Sequence, residues 1–383
     1  MAIDFWVFLG AYYGFYNLVG LLWIQKVFNI YHLNWYPSRL SFAAAFTLAN
    51  AAPLAVGALL YRWLPPALVA SNLTWIFLTF ATMCTPLLVA GAVLARRRHG
   101  GFRGPTETQL LFAPAPPARR RRRAARSHRR FLWLCAALLL SLGGYVLGET
   151  YSELYLRTLP HSALETVVYV YAWVLTVGAL DGATGWVLGA RVRSYPLQTV
   201  FKLYFALTYQ TYVRALYARL RAPAQFAALQ ALSSARVVLW HPLAMTRAWH
   251  ALLVAARVTG LAYADWQRHV GRAFFLRGLA ESVSMLAFLG WCAALRAGAN
   301  RDIYPYFTLA GDDGYTFALT FGASAATWAA ELLAGWIVRR VMRAAFGYRV
   351  THEAVRDFAA FPELLPACLC VPPPPPRAAP RRR

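Results

Sequence analysis

Apolar residues gather into long runs at about 3–24, 40–61, 73–95, 131–148, 163–190, 274–295 and 315–338. A hydrocarbon core about 30 Å thick needs about 20 apolar residues in helical form to cross it. The pattern therefore predicts an all-α fold, a polytopic integral membrane helix bundle of about seven transmembrane helices. The first run follows Met1-Ala2-Ile3-Asp4, which has no basic n-region, and it contains no clear small-residue cleavage site. It is expected to stay in place as a span and not to be removed as a signal peptide. Glycines spaced by four recur at Gly10 and Gly14, Gly144 and Gly148, Gly178 and Gly182, and Gly185 and Gly189. Such spacing lets helices approach closely, and it predicts tight packing of the fourth and fifth spans.

One region breaks the simple alternation of span and loop. Over 197–221, Leu197, Phe201, Phe205, Tyr209, Val213, Leu216 and Leu220 recur at spacings of three and four, while Gln198, Lys202, Gln210, Arg214 and Arg221 fall on the opposite face. That is an amphipathic helix. Its charge-free window, 203–213, is too short for a span unless Lys202 and Arg214 snorkel. The expected arrangement is an interfacial helix whose cationic residues Lys202, Arg214 and Arg221 contact anionic lipids. Further helices are expected over 224–239 and 243–270, broken at Pro242. If 197–218 and 243–263 instead form a membrane hairpin, the count rises from seven to nine.

Composition sharpens this picture. The chain of 383 residues is 59% hydrophobic, 15% aromatic and only 14% charged, against about 25% charged in an ordinary soluble domain. The net charge of +24 comes almost wholly from arginine, with Lys26 and Lys202 the only lysines. No nucleic-acid-binding fold accompanies that charge, so a nucleic-acid partner is not expected. The charge is instead concentrated between apolar runs. Residues 96–130 hold twelve arginines against Glu107, and the excess of basic residues in a short loop marks the cytosolic side. With that loop inside, the N-terminus lies outside and the 149–162 connector lies outside. The basic 191–272 region lies inside, the 297–314 loop with Asp302, Asp312 and Asp313 lies outside, and the tail lies inside. Every basic cluster then falls on one side. The domain organisation is helices one to three over 1–95, an Arg/Pro-rich cytosolic loop over 96–130 expected to be disordered, and helices four and five over 131–190. The basic cytosolic-side helices follow over 191–272, helices six and seven over 273–338, and a Pro/Arg-rich cytosolic tail over 339–383.

Candidate chemistry is sparse. Asp181, Glu281 and Glu331 lie inside predicted spans, roughly 10–15 Å from the cytosolic ends at helical rise. Charges at that depth cost about 2.5–3.5 kcal/mol or more and need partners. Arg277 stands four residues before Glu281 and can pair with it along one helix face. These four residues form a candidate intramembrane polar site, for a solute, an ion or a proton. Of the five cysteines, Cys84, Cys135 and Cys292 fall in spans, so no disulfide framework is expected. Cys368 and Cys370 in the tail are candidates for palmitoylation. Pro372 opens a run of five prolines followed by Arg377, which fits a polyproline ligand for an SH3-type partner. Asn72-Leu73-Thr74 is a formal glycosylation acceptor, set too close to the third span for modification to be expected. No nucleophile elbow, phosphate loop or His/Cys metal cluster is present, so neither an enzyme nor a cofactor nor a bound metal is expected. The pattern points first to a multi-pass membrane protein that transports or conducts a small solute or ion. The alternative is a non-enzymatic membrane-organising or scaffold protein that binds anionic lipids and cytosolic partners.

Overall fold

A computed structural model describes residues 5–6, 8–31, 35–36, 40–69, 72–96, 117–157, 163–217, 223–297 and 317–371. The elements are all helical, with no strand among the described residues. A π-helical stretch, Phe8–Gly14, leads into α1 (Phe15–Ile30), followed by α2 (Phe42–Trp63), α3 (Pro66–Val69), α4 (Asn72–Arg96) and α5 (Pro117–Arg157). Then come α6 (Ala163–Trp186), a second π-helical stretch Val187–Val192, α7 (Tyr195–Tyr217), α8 (Pro223–Ala244) and α9 (Arg247–Ala255). The chain continues through α10 (Tyr263–Ala297), α11 (Phe317–Phe346), α12 (Val350–Ala360) and α13 (Leu364–Leu369).

Five stretches are long and apolar enough to cross a membrane: Phe42–Trp63, Leu73–Val93, His128–Tyr151, Tyr263–Ala294 and Phe321–Phe346. They correspond to the second, third, fourth, sixth and seventh runs of the sequence pattern. In the first run the π-helical stretch Phe8–Gly14 leads straight into the 16 residues of α1, with Gly14 at the junction keeping right-handed helical angles. The outward faces suit a lipid surrounding. In α2 the buried positions are Ala45, Ala49, Pro53 and Gly57, a strip of small residues at a spacing of four through which a helix can approach closely. Leu48 and Leu59 on its other faces are exposed, as are Leu88 of α4, Leu286 and Trp291 of α10, and Leu333 and Trp336 of α11. Exposed apolar surface on this scale marks contact with something apolar.

Several expected boundaries are revised. Helix α5 begins at Pro117 and not at Phe131, so the arginine run Arg119–Arg123 and Arg126, Arg129 and Arg130 lie on a helix continuous with the fourth span. Proline suits a first helical turn because its missing N–H would have no partner there. The rest of the expected disordered loop, 97–116, lies outside the described residues, as does the acidic 298–316 loop. The single helix expected over 243–270 is not formed. Helix α8 runs through Pro242 to Ala244, and Thr246 caps α9 by accepting from the Trp249 N–H. The backbone then unwinds through Arg257, which takes a left-handed φ of 56°, before α10 starts at Tyr263. Nine residues of α9 span only about 14 Å, so 243–263 is not one continuous helix. Of the predicted glycine contacts, Gly144 packs beside Leu180 and Phe205, whereas a Cβ at Gly178, Gly182 or Gly185 would meet nothing within 4 Å.

The chain divides into two compact units. The first comprises Met1–Arg157, Leu175–Phe205 and Glu363–Pro375. Its centre is α1, which buries nine of its 16 residues and packs on α4 and α13. Trp23 of α1 stacks on Tyr204 at 4.8 Å and tilts against Phe201 at 5.6 Å. The Tyr204 hydroxyl donates to the Ser141 carbonyl at 2.9 Å, which ties α7 to α5. The second unit comprises Thr158–Val174, Ala206–Pro362 and Pro376–Arg383. Here Val237, Met245, Phe274, Val338, Met342 and Val350 form a core shared by α8, α10, α11 and α12. The Arg272 guanidinium pairs with Asp357 at 3.0 Å, and the Trp266 and Tyr263 side chains donate to the carbonyls of Ala244 and Met245 at 2.8 Å.

The Trp23 contacts generate a direct test. Trp23→Ala removes a fully buried ring from the centre of the first unit, at a cost of about 3–5 kcal/mol. Thermal unfolding of the purified protein in detergent should show a clear loss of melting temperature, while Trp6→Ala, at an exposed ring, should leave it unchanged. Equal behaviour of the two variants would refute the placement of α1 as the inner helix.

Candidate functional site

The polar site in the second unit is built around one face of α7. Gln210 and Arg214 stand four residues apart on that helix, so their side chains project from the same side. The Gln210 amide donates to Glu281 Oε1 of α10 at 3.1 Å. Arg214 Nη2 meets Glu331 Oε2 of α11 at 2.5 Å. On α10, Arg277 Nε donates to the same Glu281 oxygen at 2.6 Å across one helical turn. The i, i+4 relation read from the sequence is therefore formed, and it is joined by a residue from another helix.

This network is desolvated. The side chains of Arg214 and Glu331 are 4% and 9% exposed, and Gln210 is buried. At such burial a pair gains far more from its partner than on a surface, and each ion removed from water costs several kcal/mol. Glu281 and Glu331 also feel each other, and Glu331 feels Arg277, so the two ion pairs act as one electrostatic unit. The charges of Arg277 and Glu281 act on Arg236 of α8 in opposite directions.

Of the residues singled out in the sequence, Arg277, Glu281 and Glu331 come together here. Asp181 does not join them: it belongs to the first unit, where its carboxylate meets Lys202 at 3.3 Å. The expectation that α7 lies on the membrane surface with Lys202 and Arg214 toward lipid is corrected. Leu197, Val200, Phe201, Leu203 and Phe205 are buried, and so are Gln210 and Arg214 on the other face. The polar face points at carboxylates, not at headgroups. Arg221 lies outside the described residues, as do Pro372 and Arg377 of the polyproline segment.

Residues that the sequence pattern missed are Gln210, Arg236 and His241. His241 is 9% exposed, its ring meets Phe274 edge-on at 5.0 Å, and its Nε2 has no hydrogen-bond partner. The available signal was the Gln210–Arg214 spacing on a helix too apolar elsewhere to lie in water. In the tail, Cys368 sits in α13, and burial pushes its thiol up to about 12. Thr74 of the formal glycosylation acceptor donates its hydroxyl to the Leu68 carbonyl at 2.7 Å, at the start of α4. Among the described residues no group of three His, Cys, Asp or Glu side chains is placed to hold a metal ion.

Residues 1–372 match the model of the SPCC553.12c family. A relative from Schizosaccharomyces pombe, "Uncharacterized protein C553.12c", is 38% identical over 374 residues, covering 96% of this chain and 71% of the relative. No solved structure matches the chain.

Arg214→Gln leaves the Glu331 carboxylate buried without its cation and should destabilise the protein by about 3–5 kcal/mol, read as a fall in melting temperature. Arg214→Gln combined with Glu331→Gln should recover much of that loss. Purely additive single effects would show that the two residues do not interact. At pH 7 the Cys368 thiol stays protonated, and the thiolate is the nucleophile. N-ethylmaleimide should therefore label Cys368 slowly in the native protein and readily after denaturation, as followed by peptide mass spectrometry. Fast native labelling would contradict its packing.

Proposed function

The chain belongs to the SPCC553.12c family, and we propose that it is a multi-pass membrane transporter or channel for a small solute or ion. The observation that carries this reading is the desolvated network of Gln210, Arg214, Arg277, Glu281 and Glu331 between α7 and two helices apolar enough to span. A buried ion pair is a poor device for stability, because well-packed apolar residues of the same volume serve as well or better. Ionisable groups at membrane depth mark solute, ion or proton pathways by default. Two carboxylates that sense each other and share guanidinium partners supply what a moving charge requires, namely alternative pairings at nearly equal energy.

The topology that accompanies this proposal has seven spans, with the N-terminus outside and the basic segments and the C-terminus in the cytosol. Its support is the segregation of arginine to one side of the apolar runs. A second reading, that of a membrane-organising protein, draws on α9. That helix buries none of its residues and exposes both Arg247 and Leu252, a composition suited to the lipid interface.

Reconstitution separates the two readings. Proteoliposomes on a solid-supported membrane, given gradients of sodium, potassium, chloride, phosphate or pH, should show protein-dependent current or uptake for at least one solute. Glu281→Gln and Glu331→Gln should reduce it by about tenfold or more while Asp181→Asn, in the other unit, reduces it less. No protein-dependent flux under any gradient, with neutral solutes checked by liposome swelling, would leave the organising role. Protease protection of tags at both termini tests the topology, and a C-terminus exposed outside the cell or in the organelle lumen would overturn it.

A further inference from the structure

In the first unit, Arg191 is held against two tryptophans. It stands in the π-helical stretch Val187–Val192, whose Val187, Leu188 and Val192 are buried. The stretch is anchored by those residues, and Arg191 is left exposed. Arg193, at a left-handed φ of 55°, ends it, and the Ser194 N–H donates back to the Leu188 carbonyl at 3.3 Å. The Arg191 guanidinium lies 5.3 Å from the centre of the Trp133 ring of α5 and 5.1 Å from the Trp186 ring at the end of α6. The two rings meet edge-on at 6.1 Å. A cation over an aromatic face is attracted by the quadrupole of the ring, and here two rings fix one guanidinium. Among the described residues the Arg191 side chain has neither a hydrogen bond nor an ion pair. Aromatic contact engages the faces of a guanidinium and leaves its in-plane N–H donors free for an acceptor. On α5, Arg129 and Arg130 are both exposed, and they stand one turn before Trp133 on the same side of the helix.

We propose that Arg191, seated against Trp133 and Trp186, binds the phosphate of an anionic phospholipid, with Arg129 and Arg130 supplying further positive charge one turn along α5. The fork of a guanidinium matches two oxygens of a phosphate. The position of the rings favours a lipid over a free anion. Trp133 lies five residues inside the apolar stretch His128–Tyr151, about 8 Å along the helix, and Trp186 is 54% exposed. Tryptophan at the end of an apolar stretch belongs at headgroup level, with its ring against the acyl boundary. The charge favours an anionic lipid over a zwitterionic one, because basic residues at a membrane surface draw acidic headgroups. In the proposed topology this end of α5 faces the cytosol. The lipid contact expected of Lys202 and Arg214 then falls to Arg191. The inference rests on the membrane reading that both proposed functions share, and not on solute movement.

Native mass spectrometry of the full chain in detergent, titrated with dioleoyl phosphatidic acid or dioleoyl phosphatidylcholine, provides the test. The first phosphatidic acid should bind about tenfold more tightly than the first phosphatidylcholine. Arg191→Gln should weaken phosphatidic acid binding by about tenfold or more, the loss of one charge-assisted contact. Trp186→Leu, at an exposed ring, should weaken it too, because one of the two faces that fix the guanidinium is gone. Arg340→Gln, at an exposed arginine that lies over Trp336 in the second unit, should leave it unchanged. If Arg191→Gln does not fold, Arg191→Lys keeps the charge but loses the fork, and should still weaken binding. Equal binding of the two lipids overturns the proposal. So does an unchanged affinity in Arg191→Gln or Arg191→Lys, or a loss in Arg340→Gln as large as that in Arg191→Gln. Inorganic phosphate that displaces phosphatidic acid from the wild type at equimolar concentration assigns the site to a soluble anion and overturns the choice of a lipid. Alkaline carbonate extraction of cell membranes tests the membrane reading separately. Release of the chain into the supernatant overturns that reading and the lipid site with it, whereas a chain retained in the pellet with no lipid preference overturns the lipid site alone.

Discussion

Arg214 on α7 and Glu331 on α11 meet at 2.5 Å with almost no exposure, and most of the second unit's polar chemistry follows from that contact. Neither residue can be buried alone, because an isolated ion in an apolar setting costs several kcal/mol. Their pairing fixes the face that α7 turns inward, and Gln210, one turn earlier, then reaches Glu281. Glu281 in turn holds Arg277 along α10. Three helices are registered by a short chain of charged and polar contacts, while the surrounding core of Val237, Phe274, Val338 and Met342 supplies packing without specifying which polar groups meet. The registration comes from directionality: apolar side chains tolerate small rotations, whereas a guanidinium must present its fork to its carboxylate.

The same constraint explains why α7 lies where it does. A cationic amphipathic helix can satisfy its polar face with water, with lipid headgroups or with buried acids. Here Lys202 takes Asp181 within the first unit and Arg214 takes Glu331 within the second. With those partners supplied, both faces of the helix can be covered, and Leu197, Phe201 and Phe205 pack as fully as any core residues. Helix α9, by contrast, is short, capped by Thr246 and without a buried residue.

Much was legible in the sequence. The apolar runs located the helices long enough to cross a membrane, because length and hydropathy are local properties and hydrocarbon thickness sets one scale for all of them. The Arg277–Glu281 pair was readable because i, i+4 neighbours meet on any helix. Membership of Glu331 in the same site was a reasonable inference from depth, yet depth alone also admitted Asp181, whose partner lies in a different unit. The end of α5 was misplaced because an arginine run reads as a solvated loop, although arginine is a good helix former and Pro117 suits a first turn.

What the sequence by itself determined is the helical class, the apolar runs, the concentration of arginine between and after those runs, and the helix-local ion pair. Each depends on residues within a few turns of one another. Only the tertiary structure decided that the polar face of α7 is turned inward, that Gln210 and Arg214 belong with Glu281 and Glu331, and that His241 is buried with its Nε2 unpartnered. An amphipathic pattern states that two faces differ, not what each face meets. Arg214 and Glu331 stand more than a hundred residues apart, and the cost of burying either charge is fixed by the partner that folding brings to it.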